Sequence, residues 1–455
     1  MRLLKIFLGG LVAAACILAS YGVYTHYFSL SAKLDRYVQS YVDLELFSGA
    51  VLVAKEGKIV LCKAYGLANR ELDVPNKIDT KFRIASMTKQ FTAMAIMQLQ
   101  EMGLLSVQDK LSKYISDYPR GNEITIHNLL THTSGIPHVA AFWDEYYQER
   151  IKPHTLEQRI AFIRNKPLIS NPGEKFDYGD NNYVLLTYII EKVSGKKYEE
   201  FLKEHIFDLI DMKGSGYDDY KLITKNRAAG YARVGNSFVN ADYMDRSWES
   251  GAGSLYTTVS DLYKWDRALY TDKLVSKTTL DSIFTPFKSN YGYGWSIKQS
   301  SHGKLIEHSG ANPGARAIIY RLVDRDSCII VLSNFDESPV ALIADNLERV
   351  LFGEKPEHAP KKRMTIDLDP RVYDQYIGTY KCKEKDLTIV TTKERDILAV
   401  ELIGKGKVEI YPETETNFFA TEVDAQVSFI KDASGNVIKL IVHQGGHDIS
   451  AERVK

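Results

Sequence analysis

The sequence has few cysteines and no net charge, and both absences narrow what the protein can be. Its cysteines, Cys16, Cys62, Cys328 and Cys382, lie far apart and form no CxxC pair or metal-like spacing. Because Cys16 lies in an apolar N-terminal run, three remain, so we expect no disulfide framework and at most one bridge. The 58 basic residues balance 58 acidic residues, which leaves no overall field to attract nucleic acid, and we expect no such partner.

Two motifs of well-known hydrolase classes are also absent. No HExxH and no GxSxG occurs, which argues against a zinc peptidase and against a Ser-His-Asp enzyme of the α/β-hydrolase type. His443 and His447 flank Gly445 and Gly446, a pattern typical of a turn between strands rather than of a zinc-binding helix. We therefore expect no bound metal.

The length and composition are those of a folded, multidomain protein. At about 150 residues per domain, 455 residues predict about three domain-sized units. Hydrophobic residues make up 44% and charged residues 25% of the chain, which excludes a disordered, collagen-like or polytopic membrane protein.

The first 28 residues have the features of a segment that leaves the cytoplasm. Arg2 and Lys5 precede nineteen residues without a charge, Ile6 to Tyr24, about the length that crosses a bilayer as a helix. Positive charge on the short N-terminal side predicts that everything after Phe28 lies outside the cytoplasm. Residues 1–28 are thus an uncleaved signal-anchor in the cell membrane, or a removed signal peptide, which would leave a secreted or periplasmic protein. A lipid anchor at Cys16 and a buried core helix stay open as further alternatives.

Strands at both ends of residues 29–353 enclose a helical middle. We therefore predict an α+β domain, with an antiparallel β-sheet flanked by helices and an all-helical lobe. Apolar β-rich runs predict the strands, and long apolar runs that end at Gly103 or Gly195 predict helices. The predicted strands are Gly49–Ala54, Ile59–Cys62, Gly294–Ile297, Ala317–Tyr320 and Ser327–Leu332, and the predicted helices are Met87–Met102, Tyr183–Val193 and one from Ser260 onward.

The last hundred residues differ in kind. The prolines and charge clusters of Glu354 to Arg363 mark a linker over residues 354–369. From Tyr376 short alternating runs recur, and Asp432–Asn436 is a strong hairpin signal. We predict a small antiparallel β-barrel or sandwich over residues 370–455. It either roofs a substrate cleft or serves as a stability module.

A serine becomes a nucleophile when a neighbouring group accepts its proton, and SxxK places a lysine beside a serine on one helix face. The spacing occurs four times, at Ser86, Ser194, Ser301 and Ser428, and only Ser86 begins a long apolar helix. There the helix dipole stabilises negative charge on the serine oxygen, and the dipole and desolvation are expected to lower the pKa of Lys89. The alternative is that Ser86 is a plain helix cap and Lys89 a surface residue.

Several further motifs match one family in the same order. The run Phe82–Lys89 resembles the first motif of the serine β-lactamase and penicillin-binding-protein family, and Leu129–Pro137 resembles the LLTHTSG-(L/I)-P signature of its class C branch. Other matching segments are Pro172–Tyr183 around the Tyr-x-Asn motif, Gly251–Leu255, Tyr291–Trp295, and His308-Ser309-Gly310 at the third motif. The resemblance covers about residues 30 to 352. The C-terminal segment resembles the lipocalin-like β domain of some members, and the whole chain is similar to the small penicillin-binding esterases and D-peptidases.

The resemblance implies a role for each matching residue. Ser86 is the acylated nucleophile, Lys89 its proton partner, and Tyr178 a second general base whose pKa an adjacent Lys89 ammonium is expected to lower. The amides of Ser86 and Ala311 form the oxyanion hole. Asp180, His308, Ser309 and Gly310 complete the substrate site, which needs no cofactor.

Two departures from the family pattern bear on the substrate. Tyr178-Gly179-Asp180 stands where Tyr-Ser-Asn is usual, and an ionised aspartate accepts hydrogen bonds but cannot donate them, so Asp180 should hold Lys89 in its charged form. His308 replaces the usual lysine of the third motif, and its ordinary pKa of about 6.5 would make activity pH-sensitive. Arg316 either binds a substrate carboxylate or is an ordinary surface arginine.

The sequence thus predicts an extracytoplasmic serine hydrolase that forms an acyl-enzyme. Its substrates are small molecules or peptides: D-amino-acid-containing peptides such as those of peptidoglycan, esters or β-lactams. The alternative is a non-catalytic binding or scaffold protein that keeps the same fold. The sequence predicts no oligomeric state.

Overall fold

A computed structural model of the protein describes residues 29–357, 365–382, 387–394, 397–402, 406–420, 425–444 and 447–454. The predicted membrane segment, residues 1–28, part of the predicted linker, and the Gly445-Gly446 turn lie outside these residues. Within them, no helix combines the length and hydropathy that a membrane span requires.

The secondary structure forms a main sheet, a helical region and a C-terminal barrel. The helices are α1 (29–43), α2 (Thr88–Glu101), α3 (Ile126–Leu130), α4 (Trp143–Glu149), α5 (Leu156–Arg164), α6 (Asp180–Ser194), α7 (Tyr198–Leu202), α8 (Val259–Ala268), α9 (Lys277–Ile283) and α10 (Val340–Leu351). The first thirteen strands are β1 (Gly49–Lys55), β2 (Lys58–Tyr65), β3 (Leu67–Asn69), β4 (Val74–Pro75), β5 (Phe82–Arg83), β6 (Gly216–Tyr217), β7 (Tyr231–Val234), β8 (Ser237–Asn240), β9 (Leu255–Thr257), β10 (Ser296–Ser300), β11 (Gly303–Asn312), β12 (Ala315–Leu322) and β13 (Ser327–Ser333). The barrel strands are β14 (Gly378–Cys382), β15 (Leu387–Glu394), β16 (Ile397–Leu402), β17 (Gly406–Pro412), β18 (Asn417–Ala420), β19 (Ala425–Lys431), β20 (Val437–Gln444) and β21 (His447–Val454).

The main sheet joins both ends of the domain. Its six strands run in the order β10-β11-β12-β13-β1-β2, and β1 pairs antiparallel with β13, Val51 opposite Val331. Side chains of a strand alternate between the two faces. Leu52 therefore packs into the core beneath the helical lobe, while Val53 packs into the core beneath α1 and α10. Burial of both faces explains why β1 is apolar throughout, and the predicted fold is confirmed.

Helix α2 lies at the centre of the helical side. Its residues from Thr88 to Leu99 are all buried, and the surrounding core includes residues of α6, α7, α8 and α9. Every side of the helix between these two residues has a protein neighbour, around the buried polar side chains of Lys89, Gln90 and Gln98 as well as around the apolar ones. The first turn of α2 is therefore fixed from all directions, which matters for the residues it carries.

The C-terminal strands close into an eight-stranded barrel, β14 to β21, in which β14 pairs with β21. Its core is aromatic: Tyr376 stacks on Phe429 with ring centroids 4.3 Å apart, and Phe418 lies against both rings. The predicted hairpin at Asp432 connects β19 to β20, with Gly435 at φ 85°. Of the two architectures predicted here, the structure has the barrel.

Candidate active site

Ser86 lies on a single turn between β5 and α2. Strand β5 pairs with β9, and the Ile84 amide donates to the Leu255 carbonyl, so the chain is fixed just before the turn. Ala85 has a φ of 45°, in the left-handed region that non-glycine residues adopt only when their surroundings hold them there. This strained turn presents the Ser86 hydroxyl at the head of α2.

The Lys89 ammonium lies directly beneath the Ser86 hydroxyl. Its side chain is 0% exposed, and Nζ donates to Ser86 Oγ at 2.9 Å, to Asp180 Oδ1 at 2.6 Å and to the Ala252 carbonyl oxygen at 3.0 Å. An ammonium has three N–H donors, and here each has an acceptor. The surroundings of Lys89 are therefore those of a protonated lysine.

The expected direction of the Lys89 pKa was wrong. Burial alone would lower this pKa, as predicted, but the Asp180 carboxylate and the Tyr178 side chain raise it above the ordinary value of lysine. Asp180 lies at the first position of α6, and its pKa is lowered. Desolvation raises this pKa, but the positive charge of Lys89 lowers it by more. The ion pair therefore keeps both Lys89 and Asp180 charged. The predicted effect of Asp180 on the Lys89 pKa outweighs the predicted effect of burial.

Tyr178 also departs from expectation. Its ring centroid is 4.9 Å from Lys89 Nζ, and its hydroxyl interacts with both Lys89 and Ser86. Desolvation raises the pKa of Tyr178, the Lys89 charge lowers it in part, and the Asp180 charge raises it again, so the net direction is upward and not downward. In the resting site the pair holds a lysine ammonium and a neutral phenol.

The glycine turn, residues 251–253, supplies the third hydrogen-bond acceptor of Lys89, the Ala252 carbonyl. Gly251 packs so closely that a Cβ there would lie 2.3 Å from Thr187 Oγ1, and its carbonyl accepts a 2.6 Å hydrogen bond from Thr92 Oγ1. These contacts hold the turn against α2 and α6. They direct the carbonyl of Ala252 at the lysine.

The edge of the sheet approaches the nucleophile along β11. Strand β10 pairs with β11 only as far as Glu307, so residues 308–312 extend past the end of β10. A Cβ on Gly310 would lie 2.1 Å from the Ile84 carbonyl oxygen, and only glycine permits this approach. Ala311 follows at once, so its backbone lies beside the Ser86 turn.

A cleft of about 400 Å³ opens above these groups. It brings together seven of the eight residues predicted for the site, and the eighth, Lys89, is buried beneath it. The described residues that line the cleft are Ser86, His138, Tyr178, Asp180, Tyr291, Ser296, Glu307, His308, Ser309, Gly310 and Ala311. All of them lie between positions 86 and 311, and none belongs to the described part of the barrel.

His308 does not titrate as expected. Burial and the Lys89 charge lower its pKa to about 3, so its imidazole stays neutral between about pH 5 and pH 8. Its Nδ1 donates to the Ser309 carbonyl at 2.6 Å, and its Nε2 accepts from the Tyr291 hydroxyl at 2.9 Å. His308 therefore fixes the shape of the cleft wall and is not a switch of charge.

Four residues of the cleft lining were not predicted from the sequence. His138, Tyr291, Ser296 and Glu307 line the cleft although none was predicted as a site residue. The available signal was adjacency: His138 follows the LLTHTSGIP motif, and Glu307 precedes His308. The pairing of Glu307 with Lys298 across β10 and β11 depends on strand register, which no local motif encodes.

The histidine of the LLTHTSG motif supports Tyr178 from behind. His132 has a φ of 53° and is buried, and its Nδ1 accepts from the Gly179 amide at 3.2 Å. Its ring centroid is 4.4 Å from that of Tyr178. Burial and the Lys89 charge lower the pKa of His132 well below its ordinary value. A neutral ring therefore packs against the phenol and fixes its orientation.

A second serine with hydrogen-bonded partners lies on the barrel. Ser428 Oγ is 3.0 Å from His443 Nε2, and His443 Nδ1 is 2.7 Å from Asp448 Oδ1. Ser428 pairs in the ladder with both Asn417 and Ile441, so its strand offers no free edge as an oxyanion hole. This arrangement lacks the features that make Ser86 a candidate nucleophile. In the described part of the chain, no cluster of three or more His, Cys, Asp or Glu side chains could hold a metal ion.

The fold and the Ser86–Lys89 pair define the class of this protein: the β-lactamase-fold family of hydrolases and penicillin-binding proteins. Residues 34–354 match the beta-lactamase family, and the chain belongs to it. Residues 362–453 match a domain of unknown function, DUF3471, to which the eight-stranded barrel corresponds. The family predicted from the motifs is confirmed.

Two of the similar proteins cover nearly the whole chain, and a third covers more than two thirds of it. Penicillin-binding protein 4* of Bacillus subtilis (strain 168) is 31% identical over 439 residues, which is 90% of this chain and 95% of that protein. The structure of the octameric penicillin-binding protein homologue from Pyrococcus abyssi has a TM-score of 0.64 at 28% identity and covers 92% of this chain and 99% of its own. The D-amino acid amidase from Ochrobactrum anthropi SV3 has a TM-score of 0.64 at 22% identity, over 71% and 99% of the two chains, a likeness that shows the fold alone.

Proposed function

We propose that this protein is a serine hydrolase that works through an acyl-enzyme on Ser86. The observation that carries the proposal is the 2.9 Å hydrogen bond from Lys89 Nζ to Ser86 Oγ at the floor of the cleft. A buried ammonium beside the hydroxyl favours negative charge on that oxygen as it attacks. Membership of the beta-lactamase family supports the same chemistry.

The proton route follows from the charges. Lys89 already carries its proton and cannot accept another, so Tyr178 must accept the proton of Ser86. The reactive form therefore has a Tyr178 phenolate beside the Lys89 ammonium, and it is a minor protonation state of the Lys89–Tyr178 pair. Ser86 Oγ attacks the substrate carbonyl carbon while its proton moves to the Tyr178 oxygen. The amides of Ser86 and Ala311 hold the oxyanion; the bond to the leaving group then breaks, and Tyr178 returns the proton to that group. Water releases the acyl group by the reverse sequence.

The charges around the cleft bear on the substrate. Asp180 and Glu307 line it, whereas no lysine or arginine is among the lining residues that the structure describes. Arg316, the one arginine considered for a substrate carboxylate, donates to Asp336 Oδ1 at 2.9 Å. We propose substrates without a carboxylate beside the scissile bond, namely esters and D-amino acid amides, in preference to peptides or β-lactams that carry one. The amidase neighbour agrees with this choice in name and fold.

A substrate panel tests both parts of the proposal. The full-length chain is assayed with a short-chain ester, a D-amino acid amide, a D-alanyl-D-alanine peptide and nitrocefin. Intact-mass analysis detects the acyl adduct, and peptide mapping locates it. We expect an adduct on the peptide that contains Ser86, and a kcat/KM at least about tenfold higher for the ester and the amide than for the two carboxylates, the effect of 1.4 kcal/mol. An adduct elsewhere, or a clear preference for the carboxylates, would contradict the corresponding part.

A non-catalytic binding or scaffold protein is the second candidate, and Asp180 is the observation that favours it. Its carboxylate fixes Lys89 as an ammonium and opposes ionisation of Tyr178. On this alternative, a penicillin and a reactive phosphonate would both fail to modify Ser86 while the folded protein still binds a ligand. Labelling of Ser86 by either probe excludes it.

The location of the protein is part of the proposal. The uncharged run from Ile6 to Tyr24, after Arg2 and Lys5, supports a catalytic domain outside the cytoplasm and attachment to the cell membrane. A C-terminal alkaline phosphatase fusion, which is active only outside the cytoplasm, tests this in cells. An inactive fusion that is present at normal levels would contradict it.

The charge of Asp180 should limit the rate, and D180N should increase it. Removing the carboxylate removes an influence that raises the pKa of Tyr178, so more phenolate is present at neutral pH. The asparagine amide can still accept from Lys89 and can also donate to a substrate carbonyl. We expect acylation at pH 7 to rise about tenfold, equivalent to 1.4 kcal/mol, and the rise of rate with pH to begin at a lower pH.

The measurement for D180N is a pH–rate profile with the ester substrate. D177N is the matched control, because Asp177 lies three positions before Asp180 and is not among the residues lining the cleft. A D180N profile that coincides with the wild type, or a slower reaction at every pH, would show that Asp180 does not restrain the proton pair.

A further inference from the structure

Glu249 lies behind the cleft, between two elements that carry reacting groups. It stands between the turns Arg246–Trp248 and Ser250–Ala252, directly before the glycine turn that supplies the Ala252 carbonyl to Lys89. Its side chain is 9% exposed, and it is not among the residues that line the cleft. No motif in the sequence marked it.

The Glu249 carboxylate reaches across to the edge strand. Its Oε2 accepts a 2.6 Å hydrogen bond from Asn312 Nδ2 and a 3.2 Å bond from Arg246 Nη1. Asn312 is the last residue of β11 and directly follows Ala311, the predicted oxyanion donor. The Asn312 amide also donates to the Gly253 carbonyl at 3.3 Å. One side-chain amide thus connects the end of β11 to Glu249 and to the glycine turn.

The packing around this contact leaves little room for adjustment. A Cβ on Gly253 would lie 2.7 Å from Glu249 Oε2, so the carboxylate rests against the backbone of the turn. Gly310 holds β11 close to the Ser86 turn, since a Cβ there would lie 2.1 Å from the Ile84 carbonyl oxygen. The distance between the Ala252 carbonyl and Ala311 on β11 is therefore set by the close approaches at Gly253 and Gly310. The hydrogen bond from Asn312 to Glu249 also contributes to it.

We propose that Glu249 is a positioning residue: through Asn312 and the glycine turn it holds the amide of Ala311 and the carbonyl of Ala252 in register with Ser86. This inference rests on the proposed acyl-enzyme function. It assigns Glu249 no contact with the substrate. Its contribution is alignment of groups that stabilise the transition state, where an error of about 1 Å costs about a hundredfold in rate.

The electrostatic surroundings of Glu249 agree with this role. Burial raises its pKa to about 7; Arg246 and Lys89 lower it, and Asp180 raises it. Arg159 and Tyr146, on α5 and α4, are also within electrostatic range of Glu249. Because an ionised acceptor forms a stronger bond with Asn312, alignment should weaken as Glu249 gains a proton below neutral pH.

Four variants test the inference: E249A, E249Q, N312A and the double variant E249A/N312A. We expect E249A to slow acylation about a hundredfold through kcat, with KM nearly unchanged, because the oxyanion contact matters most in the transition state. E249Q retains an acceptor for Asn312, so it should recover most of that rate and lose the change of rate near pH 7. The double variant should be no slower than E249A, since both changes break one contact.

E348A is the matched control. Glu348 is likewise a buried acid, and it accepts from His302 Nδ1 at 2.8 Å far from the cleft residues in sequence. It should lower the melting temperature without slowing acylation. A loss of rate in E348A equal to that in E249A, or additive losses in the double variant, would overturn the positioning role.

Hydrogen exchange of residues 308–312 separates this inference from the proposed function. We expect E249A to speed exchange there and E348A to leave it unchanged. If the wild type forms no adduct but E249A still loosens this segment, the positioning role stands and the proposed function fails. If the wild type acylates normally and E249A neither slows acylation nor speeds exchange, the positioning role is wrong.

Discussion

Replacement of Ser86 by alanine is expected to abolish hydrolysis of every substrate that the wild type accepts. In serine hydrolases, removal of the nucleophile lowers kcat by about a millionfold, and the residual rate comes from binding and the oxyanion hole. The same loss is expected here because, among the described serines that line the cleft, Ser86 is the one whose hydroxyl accepts a hydrogen bond from the buried Lys89. The measurement is kcat with the best ester substrate, together with intact mass after incubation with a penicillin.

The fold should survive the S86A change. Lys89 keeps two of its three acceptors, Asp180 Oδ1 and the Ala252 carbonyl oxygen, so the ammonium remains paired. We expect the free energy of unfolding to change by about 1 kcal/mol, the usual value of one hydrogen bond. A loss of activity with an intact melting transition then reports on chemistry alone.

S301A is the matched control for S86A. Ser301 has the same SxxK spacing but lies in the exposed turn between β10 and β11, where its hydroxyl contacts His302. It should have wild-type activity. Full activity in S86A, or an equal loss in S301A, would show that the acylated residue has been misassigned.

The site residues could be predicted from sequence because their spacing is local. Ser86 and Lys89 are three positions apart on one helix, and His308, Ser309, Gly310 and Ala311 form a continuous stretch of one strand. Ser428 shows why context was needed. It has the same spacing, yet it lies on a barrel strand where Lys431 pairs with Glu415.

The proton states could not be predicted from local spacing; only the family resemblance, through Asp180, indicated that Lys89 stays charged. A helix terminus and burial both act to lower the pKa of Lys89, and these are the influences that a local pattern contains. The opposing influence comes from Asp180, 91 positions away, and the third ligand is a backbone carbonyl at Ala252. The identity of a residue does not show which backbone oxygen accepts a hydrogen bond. The three acceptors around the Lys89 ammonium, and the neutral state of His308, therefore do not follow from the sequence.

The positioning contact of Glu249 was equally invisible. It depends on the close approach of a turn and a strand that are separated by 63 positions. Neither segment contains a motif that indicates the contact, and Asn312-Pro313 is an ordinary turn dipeptide. The barrel, in contrast, was predictable, since alternation and turn residues determine each of its strands locally.

Replacement of Lys89 by methionine is the second change with a very large expected effect. Methionine fills a similar volume but cannot donate to Ser86 Oγ or hold a positive charge beside Tyr178. Without the ammonium the Tyr178 phenolate that accepts the Ser86 proton is no longer stabilised, and loss of such general-base catalysis costs about 10²- to 10⁴-fold. Loss of the positive charge beside Ser86 Oγ adds to this cost. We therefore expect K89M to lower kcat about 10⁴-fold, measured with the same ester as S86A.

K89M should also destabilise the protein, and this part can be separated from catalysis. Breaking a buried ion pair from one side costs about 3 to 5 kcal/mol. The Asp180 side chain is 24% exposed and water can hydrate it, so the cost here should be at the lower end of that range. The double variant K89M/D180N removes the unpaired carboxylate as well and should recover most of the lost unfolding free energy. If it recovers stability without activity, the ammonium acts in the chemistry. If it recovers both, the loss in K89M came from the isolated charge of Asp180, and the Lys89 ammonium is not needed to stabilise the Tyr178 phenolate.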